Sequence, residues 1–393
     1  MSVTHSPSAV TLEEYTERRA RLANAVRAEG LDGVVVWSRG GYFYGDVYYL
    51  TGYHALSPLL QDTHDWTAYG SASVVLSADG KAALVMGPAD ASYMQARLGI
   101  TDQRRTVHFP DTTAEVVREF AMRRIGLIGA DALLWKDYQK LAAALGPSAE
   151  FRPLDFLLEH QRAIKSPAEI LLIRRAIDVG TEWMRVMMEA IRPGVTEGEI
   201  VGEGLRYLAS HDGRPEDVMI AAGTTSNRLW GNAGVTHWDC RRKLETGDLV
   251  HIDAWGPVDG YYTDFARSTV VGRHPSTEQR HVLEDSVSLI EAIVAEVRPG
   301  VAANRLCSIG NEWLNEHKYP QSPRFFGHCI GLGVEPPWLI TTDSTELKEN
   351  MVLAIEVGLP SQNGGIAYFE HNVLVTADGH ELLSAASPSR WWD

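Results

Sequence analysis

Short apolar runs alternate with amphipathic segments along the first 150 residues of the chain. Apolar positions recur at helical spacing over residues 11–29, and Gly30 then ends the predicted helix. Residues 31–37 form a continuous apolar run with the length of a buried strand. The same criteria predict strands at 48–52, 73–76, 82–86 and 125–128, and helices at 113–122 and 135–145. Strands that alternate with helices predict an α/β domain.

A polar connection follows this α/β domain. Residues 158–166 are polar and precede Pro167. Ser166, Pro167 and Glu169 supply an N-cap, a proline at the first helical position and an acid in the first turn, which together indicate the start of a helix. We therefore expect an N-terminal domain of residues 1–160 and a C-terminal domain of residues 161–393.

The C-terminal domain contains an internal repeat. The string Arg-Pro-Gly-Val occurs at residues 192–195 and again at 298–301. In each copy an amphipathic helix precedes the string and a second helix follows it, because Pro-Gly ends one helix shortly before the next begins. A β-rich segment then starts near residue 218 in one copy and near residue 325 in the other. Two helix–helix–sheet halves predict an α+β domain with pseudo-twofold symmetry and a site where the halves meet; chance recurrence of four residues is the alternative.

The pattern of residues 249–271 predicts two strands joined by a turn. Apolar and polar residues alternate, Gly-Pro and Asp-Gly pairs interrupt the run, and β-formers then resume. Asp253 ends the first strand and Asp264 lies inside the second, so the two carboxylates could face each other. Facing carboxylates repel unless a positive group, usually a divalent metal ion, lies between them. A solvent-exposed hairpin with aspartates in its turns is the alternative.

Three further metal-ligating residues lie in β-rich surroundings in the second half. His328 lies between glycines in Gly-His-Cys-Ile-Gly, Glu356 follows an apolar run, and Glu370 is embedded among strand formers. A buried glutamate is costly unless it is paired or bound to a metal. Two aspartates, two glutamates and one histidine would make an oxygen-rich dinuclear site, which suits Mn²⁺, Co²⁺, Fe²⁺ or Zn²⁺.

Composition and charge exclude several classes of protein. The 393 residues are 45% hydrophobic and 22% charged, as in globular proteins large enough for two domains. The net charge of −15, without a lysine or arginine block, argues against nucleic acid and anionic membranes as partners. No apolar run approaches the ~18 residues that span a bilayer. The N-terminus lacks a signal-peptide pattern and the three cysteines form no Cys-x-x-Cys pair, so we expect a cytoplasmic protein without disulfides.

Four motifs contain these residues: IDAWGPVDGYYTDFARS, GHCIGLG, AIEVG and YFEHNVLVT. With their order Asp, Asp, His, Glu, Glu, they resemble the pita-bread metallohydrolases, which include prolidase, Xaa-Pro aminopeptidase, methionine aminopeptidase and creatinase. The segments RAIKSPAEI and YYLTGY resemble the prolidase and creatinase branch. The resemblance implies a creatinase/prolidase-type α/β N-terminal domain, a pita-bread catalytic domain, two divalent metal ions and a homodimer.

The resemblance also implies roles for the five ligand residues. Asp253 would bind one ion through both oxygens, Asp264 and Glu370 would bridge both ions, and His328 and Glu356 would complete the site. A water or hydroxide between the ions would be the nucleophile, with its pKa lowered by the two cations. Glu356 would shuttle the proton of that water.

Further positions are implied to contact the substrate. His237 matches the upstream histidine of the family, which would hold the scissile carbonyl or its developing negative charge; a satisfied core histidine is the alternative. Trp255 could wall an apolar substrate pocket, although large aromatics more often belong to the core. Trp66 lies in an N-domain loop of the kind that closes a neighbouring subunit's pocket in related dimers.

The sequence departs from the peptidase members of the family at three positions. Glu335 lies where those enzymes carry a second histidine, so that either glutamate replaces it or one residue is deleted. Tyr368 lies where they carry an arginine, and His371 where they carry an acid. We take Glu335 as a candidate catalytic residue, and Tyr368 and His371 as candidate substrate contacts.

Three functions compete at this point. The first is a dinuclear metal-dependent hydrolase that cleaves a C–N bond, with Xaa-Pro dipeptides or short peptides as the default substrate. The second, favoured by Glu335 and Tyr368, is a specialist for a small non-peptide molecule: a creatinase-like amidinohydrolase, an ectoine-type ring-opening hydrolase or a metal-dependent lyase. The third is a metal-free binding module.

Overall fold

The structure is a computed structural model that describes residues 10–41, 43–55, 70–87, 98–228, 236–320, 325–362 and 364–393. The chain divides into two compact units, Met1–Arg162 and Ala163–Asp393. The C-terminal unit contains all five of the predicted ligand residues.

The N-terminal unit contains a six-stranded mixed sheet in the order β4-β3-β2-β1-β5-β6. Strand β1 pairs antiparallel with β2 and parallel with β5. The strands are β1 (Gly33–Arg39), β2 (Ser71–Ser77), β3 (Ala82–Met86), β4 (Gln103–Arg105), β5 (Arg124–Ile128) and β6 (Glu150–Pro153). The helices are α1 (Leu12–Ala28), α2 (Gly45–Thr51), α3 (Phe109–Glu119), α4 (Trp135–Leu145) and α5 (Asp155–Ala163), which ends at the boundary between the units. The predicted α/β class is confirmed.

The strand predicted at residues 48–52 is wrong, because this segment belongs to helix α2. Val47, Leu50 and Thr51 are buried at helical spacing. Gly52 adopts a left-handed conformation with φ of 74° and donates its N–H to Tyr48 O, which ends the helix. The tyrosine-rich composition favours a strand, but the spacing of the buried positions decides the local structure.

Four helices of the C-terminal unit occur as two consecutive pairs. The first pair is α6 (Pro167–Ala190) and α7 (Glu197–Ala209), and the second is α8 (Thr277–Val294) and α9 (Ala303–Glu316). Ser166 and Glu169 form a reciprocal capping box at the start of α6, where the sequence predicts a helix. A sheet follows each pair, so the predicted helix–helix–sheet order is present in both halves.

The two sheets of this unit are each centred on a long antiparallel hairpin. The first sheet has the order β7-β8-β9, and the second has the order β11-β10-β12-β13-β14. Their strands are β7 (Asp217–Ala222), β8 (Leu249–Val258), β9 (Tyr261–Val270), β10 (Gly327–Ile330), β11 (Val334–Trp338), β12 (Val352–Pro360), β13 (Ile366–Val375) and β14 (His380–Leu382). Helix α6 packs on β9 and α8 packs on β12 and β13, which leaves the opposite faces of the hairpins for the site.

Among the helices that the structure describes, none combines the length and the apolar character needed to cross a membrane.

Candidate metal centre

The β8–β9 hairpin places two buried aspartates on one face of its sheet. Asp253 pairs with Ala266, and Asp264 pairs with Trp255. The two aspartates are therefore diagonal neighbours on the same face, two positions apart in register. Local alternation of the strand thus turns both carboxylates toward the same space.

The second hairpin and its neighbouring strand contribute three more buried side chains. Glu356 on β12 lies directly opposite Glu370 on β13, and His328 on β10 pairs with Ala354. Because side chains alternate along a strand, His328, Glu356 and Glu370 share one face of the sheet. Gly327 allows the close approach of β10, since a Cβ atom there would lie 2.0 Å from Ala354 O.

Side-chain hydrogen bonds join the two hairpins at strands β9 and β13. Asn372 Nδ2 donates to the backbone oxygen of Asp264 over 2.6 Å. Arg267 Nη1 donates to the backbone oxygen of Glu370, also over 2.6 Å. Each bond links the neighbourhood of one ligand residue to that of another. This seam between β9 and β13 therefore holds together the two sheet faces that carry the carboxylates.

The five predicted ligand residues converge on one cluster. Ligand oxygens of Asp253, Asp264 and Glu370 all lie within 4.8 Å of one another. His328 Nε2 lies 3.6 Å from Asp264 Oδ2 and 3.7 Å from Glu356 Oε1. Asp264 is therefore close to both groups of ligand atoms.

The electrostatics of this carboxylate cluster fit a divalent cation. Burial raises the pKa values of Asp253, Asp264 and Glu370 well above their ordinary range, and repulsion from neighbouring carboxylates raises them further. Asp253 Oδ1 and both carboxylate oxygens of Glu370 are buried without a hydrogen-bond partner. Buried, unpartnered oxygens of this kind are costly unless a cation binds them.

His328 presents one ring nitrogen to the cluster. Its Nδ1 lies 2.9 Å from the backbone oxygen of Cys329, so a proton on Nδ1 would leave Nε2 as the metal-ligating nitrogen. Burial lowers the pKa of His328, although the nearby Glu356 opposes this effect. The resulting neutral imidazole is the form that binds metal ions.

His237 forms a pair with Asp217, an aspartate that no motif of the sequence indicates. His237 Nδ1 lies 2.5 Å from Asp217 Oδ2. Asp217 is opposite Trp255 in the β7–β8 pairing, two positions from the pair of Met219 with Asp253, and therefore shares the face of the carboxylate cluster. Backbone bonds fix the segment, since Ile220 N donates to His237 O. The pair leaves His237 Nε2 as the nitrogen available to a substrate.

Two predicted substrate positions face the cluster in different ways. Trp255 shares the face of Asp253 and Asp264 and is partly exposed, as a pocket wall would be. Tyr368 is buried, and its hydroxyl donates to Glu356 Oε2. Burial, together with the nearby Glu356, raises the pKa of Tyr368 well above its ordinary value, so the phenol remains a donor. Trp66 lies outside the described residues.

His371 faces away from the cluster, and this orientation does not support a substrate contact. It lies opposite Ile355, on the face of β13 that α8 covers, because adjacent residues of a strand point to opposite sides. Its Nδ1 lies 2.8 Å from Ser384 Oγ. Burial lowers the pKa of His371 to about 3, with a further contribution from Arg267. The ring is a neutral, packed side chain.

Glu335 is engaged in a buried ion pair, which does not support a direct catalytic role. Its Oε1 lies 2.8 Å from Lys165 Nζ, and the same amine lies 3.0 Å from Cys329 Sγ. Burial alone would lower the pKa of Lys165, but the Cys329 and Glu335 side chains outweigh it and raise this pKa above the usual lysine value. Cys329 points to the side of β10 opposite His328. The Glu335 charge is nevertheless near enough to act on His328, whose pKa it raises slightly against the larger effect of burial.

Four residues with a part in this arrangement were not identified from the sequence: Lys165, Asp217, Arg267 and Asn372. A signal exists for Asn372, because it lies two positions from Glu370 and hence on the same face of a strand. Asp217 offers no such signal, since its place depends on the pairing of β7 with β8.

Comparisons with known proteins match both units of the chain. Residues 172–377 match the model of metallopeptidase family M24, and residues 18–164 match the creatinase/prolidase N-terminal domain. The Xaa-Pro dipeptidase of Pyrococcus furiosus is 31% identical over 243 residues, which cover 60% of this chain and 67% of that protein. An uncharacterised peptidase of Bacillus subtilis is 24% identical over 375 residues, covering 93% of this chain and 96% of the relative.

Solved structures show the same fold. An Xaa-Pro dipeptidase from Bacillus anthracis superposes with a TM-score of 0.79 at 22% identity, covering 96% of this chain and 99% of that one. The prolidase from Pyrococcus furiosus gives a TM-score of 0.76 at 24% identity, covering 92% and 99%. Both halves of the predicted architecture, the α/β N-terminal domain and the pita-bread C-terminal domain, are therefore confirmed.

Proposed function

Since this chain belongs to metallopeptidase family M24 and is a metal-dependent hydrolase, we propose that it uses two divalent ions to hydrolyse the amide bond before proline in Xaa-Pro dipeptides or short peptides. The observation that carries the proposal is the buried carboxylate cluster, in which Asp264 lies close to both groups of ligand atoms. The names of the similar Xaa-Pro dipeptidases support the substrate class. The comparisons do not favour the non-peptide alternatives.

The proposed ligands are Asp253, Asp264, His328, Glu356 and Glu370. When bound, divalent ions held by these residues would supply Lewis-acid activation of a water nucleophile and of the substrate carbonyl. The oxygen-rich donor set suits Mn²⁺, Co²⁺, Zn²⁺ or Fe²⁺. Glu356 is also the proposed proton acceptor for the nucleophile, and its Oε2 accepts a hydrogen bond from Tyr368.

His237 is proposed to hold the substrate carbonyl. Asp217 engages Nδ1 and so fixes the ring orientation, which leaves Nε2 to stabilise the substrate oxygen on which negative charge develops. Trp255 supplies an apolar wall beside the carboxylates. The Asp217–His237 pair thus links substrate polarisation to the same sheet that carries two metal ligands.

The test is proline release from Xaa-Pro dipeptides by metal-free protein reconstituted with Mn²⁺, Co²⁺, Zn²⁺ or Fe²⁺. We expect proline release with at least one metal and two bound ions per chain by elemental analysis. Matched Xaa-Ala dipeptides should release little alanine under the same conditions. The absence of proline release with every one of these metals would rule out the peptidase proposal. A protein that binds no metal at saturating metal concentrations would rule out the proposed metal centre.

The proposal also covers the oligomeric state and the cellular location. We expect a homodimer, as the resemblance implies, and light scattering of the purified protein in solution tests it against a monomer. Three free cysteines suit a reducing cytoplasm. Fractionation of the source cells tests this location.

A further inference from the structure

Tyr368 is anchored at the seam between the two hairpins. Its backbone N–H donates to Ser268 Oγ over 2.8 Å, and Ser268 Oγ donates to its backbone oxygen over 3.0 Å. Only 6% of the residue is exposed. The side chain is therefore fixed at its base by β9 and enclosed along its length.

The register of β12 and β13 directs the phenol toward one carboxylate. Tyr368 lies opposite Gly358, which has no side chain to occupy the space across the strand. Its diagonal neighbour on the same face is Glu356. The hydroxyl reaches that neighbour and donates to Oε2.

The two oxygens of Glu356 therefore have different partners. Oε2 accepts the hydrogen bond from Tyr368, whereas Oε1 lies 3.7 Å from His328 Nε2, on the side of the other ligand atoms. We propose that Tyr368 is a positioning residue, which holds Glu356 so that Oε1 alone is presented to the metal ions. This inference rests on the proposed function in that Glu356 is taken as a ligand.

A positioning role differs from the substrate contact that the sequence suggests for Tyr368. A residue that contacts substrate changes KM and leaves metal binding intact. A residue that orients a ligand changes the affinity for the metal itself, and outer-shell partners of this kind typically contribute about 10–100-fold. Metal affinity measured without substrate therefore separates the two roles.

The chain offers a matched control in a second buried tyrosine–glutamate pair. Tyr261 donates its hydroxyl to Glu169 Oε1 over 3.0 Å, and both residues are buried in the same unit. Glu169 belongs to the capping box of α6 and not to the carboxylate cluster. Tyr261→Phe thus removes the same type of hydrogen bond without touching a proposed ligand.

The experiment titrates metal-free full-length protein with Mn²⁺ in a calorimeter, and with Co²⁺ while its visible absorption spectrum is recorded. For Tyr368→Phe we expect a Kd weakened by about 10–100-fold for at least one ion and a changed Co²⁺ spectrum. For Tyr261→Phe we expect a Kd within about twofold of the wild type. Wild-type Kd values and spectrum in Tyr368→Phe, or a change in KM alone, would overturn the inference.

A second variant covers the case in which Tyr368→Phe does not fold. Tyr368→Arg supplies a longer donor to the same oxygen, and we expect its Kd for Mn²⁺ to lie within about tenfold of the wild type. A folded Tyr368→Arg protein that loses more than about tenfold would overturn the donor role. If wild-type protein binds metal and releases proline while Tyr368→Phe binds metal normally, only this inference fails; if wild-type protein binds no metal, the proposed function fails with it.

Discussion

Two groups of buried charges in the C-terminal unit are built in opposite ways. In the first, the Glu335 carboxylate is neutralised by Lys165 at 2.8 Å, with both side chains almost completely buried. In the second, the carboxylate cluster, Asp253, Asp264 and Glu370 approach within 4.8 Å of one another. Among the described residues, no lysine or arginine forms a salt bridge with these three acids.

The contrast is sharp because a single strand separates the two groups. On β10, His328 points to the carboxylate cluster and the adjacent Cys329 points to Lys165. Arg267, the buried cation near Glu370, donates its Nη1 to a backbone oxygen. Its charge lowers the pKa of Glu370, but burial and the neighbouring carboxylates outweigh this effect. Glu335 is thus neutralised by a lysine of the protein itself, whereas the carboxylate cluster depends mainly on a bound cation for neutralisation.

The largest effect is expected from breaking the internally neutralised pair. Lys165→Met leaves the Glu335 carboxylate buried and unpaired, which should lower the free energy of unfolding by about 3–5 kcal/mol. Urea unfolding measures the change. Arg174→Met is the matched control, because the exposed Arg174–Glu381 pair should contribute less than about 1 kcal/mol. Equal effects of the two substitutions would contradict the distinction between the buried pair and the exposed one.

The next largest effect is expected at the carboxylate cluster, where Asp264→Asn should weaken Mn²⁺ binding by about 100-fold or more, since a ligand contributes at least as much as its outer-shell partners. In the metal-free protein the same substitution should raise the free energy of unfolding. Because the pKa of Asp264 is raised above its ordinary 3.8, the folded state holds protons that the unfolded state has lost, and the free energy of unfolding falls as pH rises above that value.

Removing this charge should therefore stabilise the metal-free protein at neutral pH while it abolishes metal-dependent turnover. Calorimetric titration gives the affinity, and urea unfolding of the metal-free protein at about pH 5 and about pH 8 gives the stability. A metal-free Asp264→Asn protein that is less stable than the wild type at the higher pH would show that repulsion does not dominate the cluster.

The sequence predicts the residues of the carboxylate cluster, but it predicts few of the residues that surround and support them. Asp253, Asp264 and Glu370 lie in long strands with regular alternation, and their order along the chain carried the resemblance to the family. Lys165 could not be paired with Glu335 in advance, because the two residues are distant in sequence and meet only through the tertiary fold. The helical spacing of Val47, Leu50 and Thr51 was present in the sequence, but the β-forming composition of the segment masked it.

A smaller effect should distinguish a third way of stabilising a buried carboxylate, by backbone N–H groups. Glu197 Oε1 accepts from Ala222 N over 2.9 Å, and Oε2 accepts from Asp239 N over 2.7 Å. These bonds tie the start of α7 to the end of β7 and to the segment that carries His237. They do not fully offset desolvation, because burial still raises the pKa of Glu197 to about 7 from the ordinary value of 4.5.

The sign of the resulting pH dependence follows from that shift. Between about pH 4.5 and about pH 7 the folded state binds more protons than the unfolded state, so the free energy of unfolding falls across this range by up to about 3 kcal/mol and then levels off. Glu197→Gln cannot titrate and should flatten this part of the profile, with only a small change in metal affinity. Urea unfolding across this pH range measures the slope. An unchanged slope in the variant would assign the pH dependence to other acids. It would also show that the two backbone N–H groups offset the desolvation of Glu197 as fully as Lys165 offsets that of Glu335.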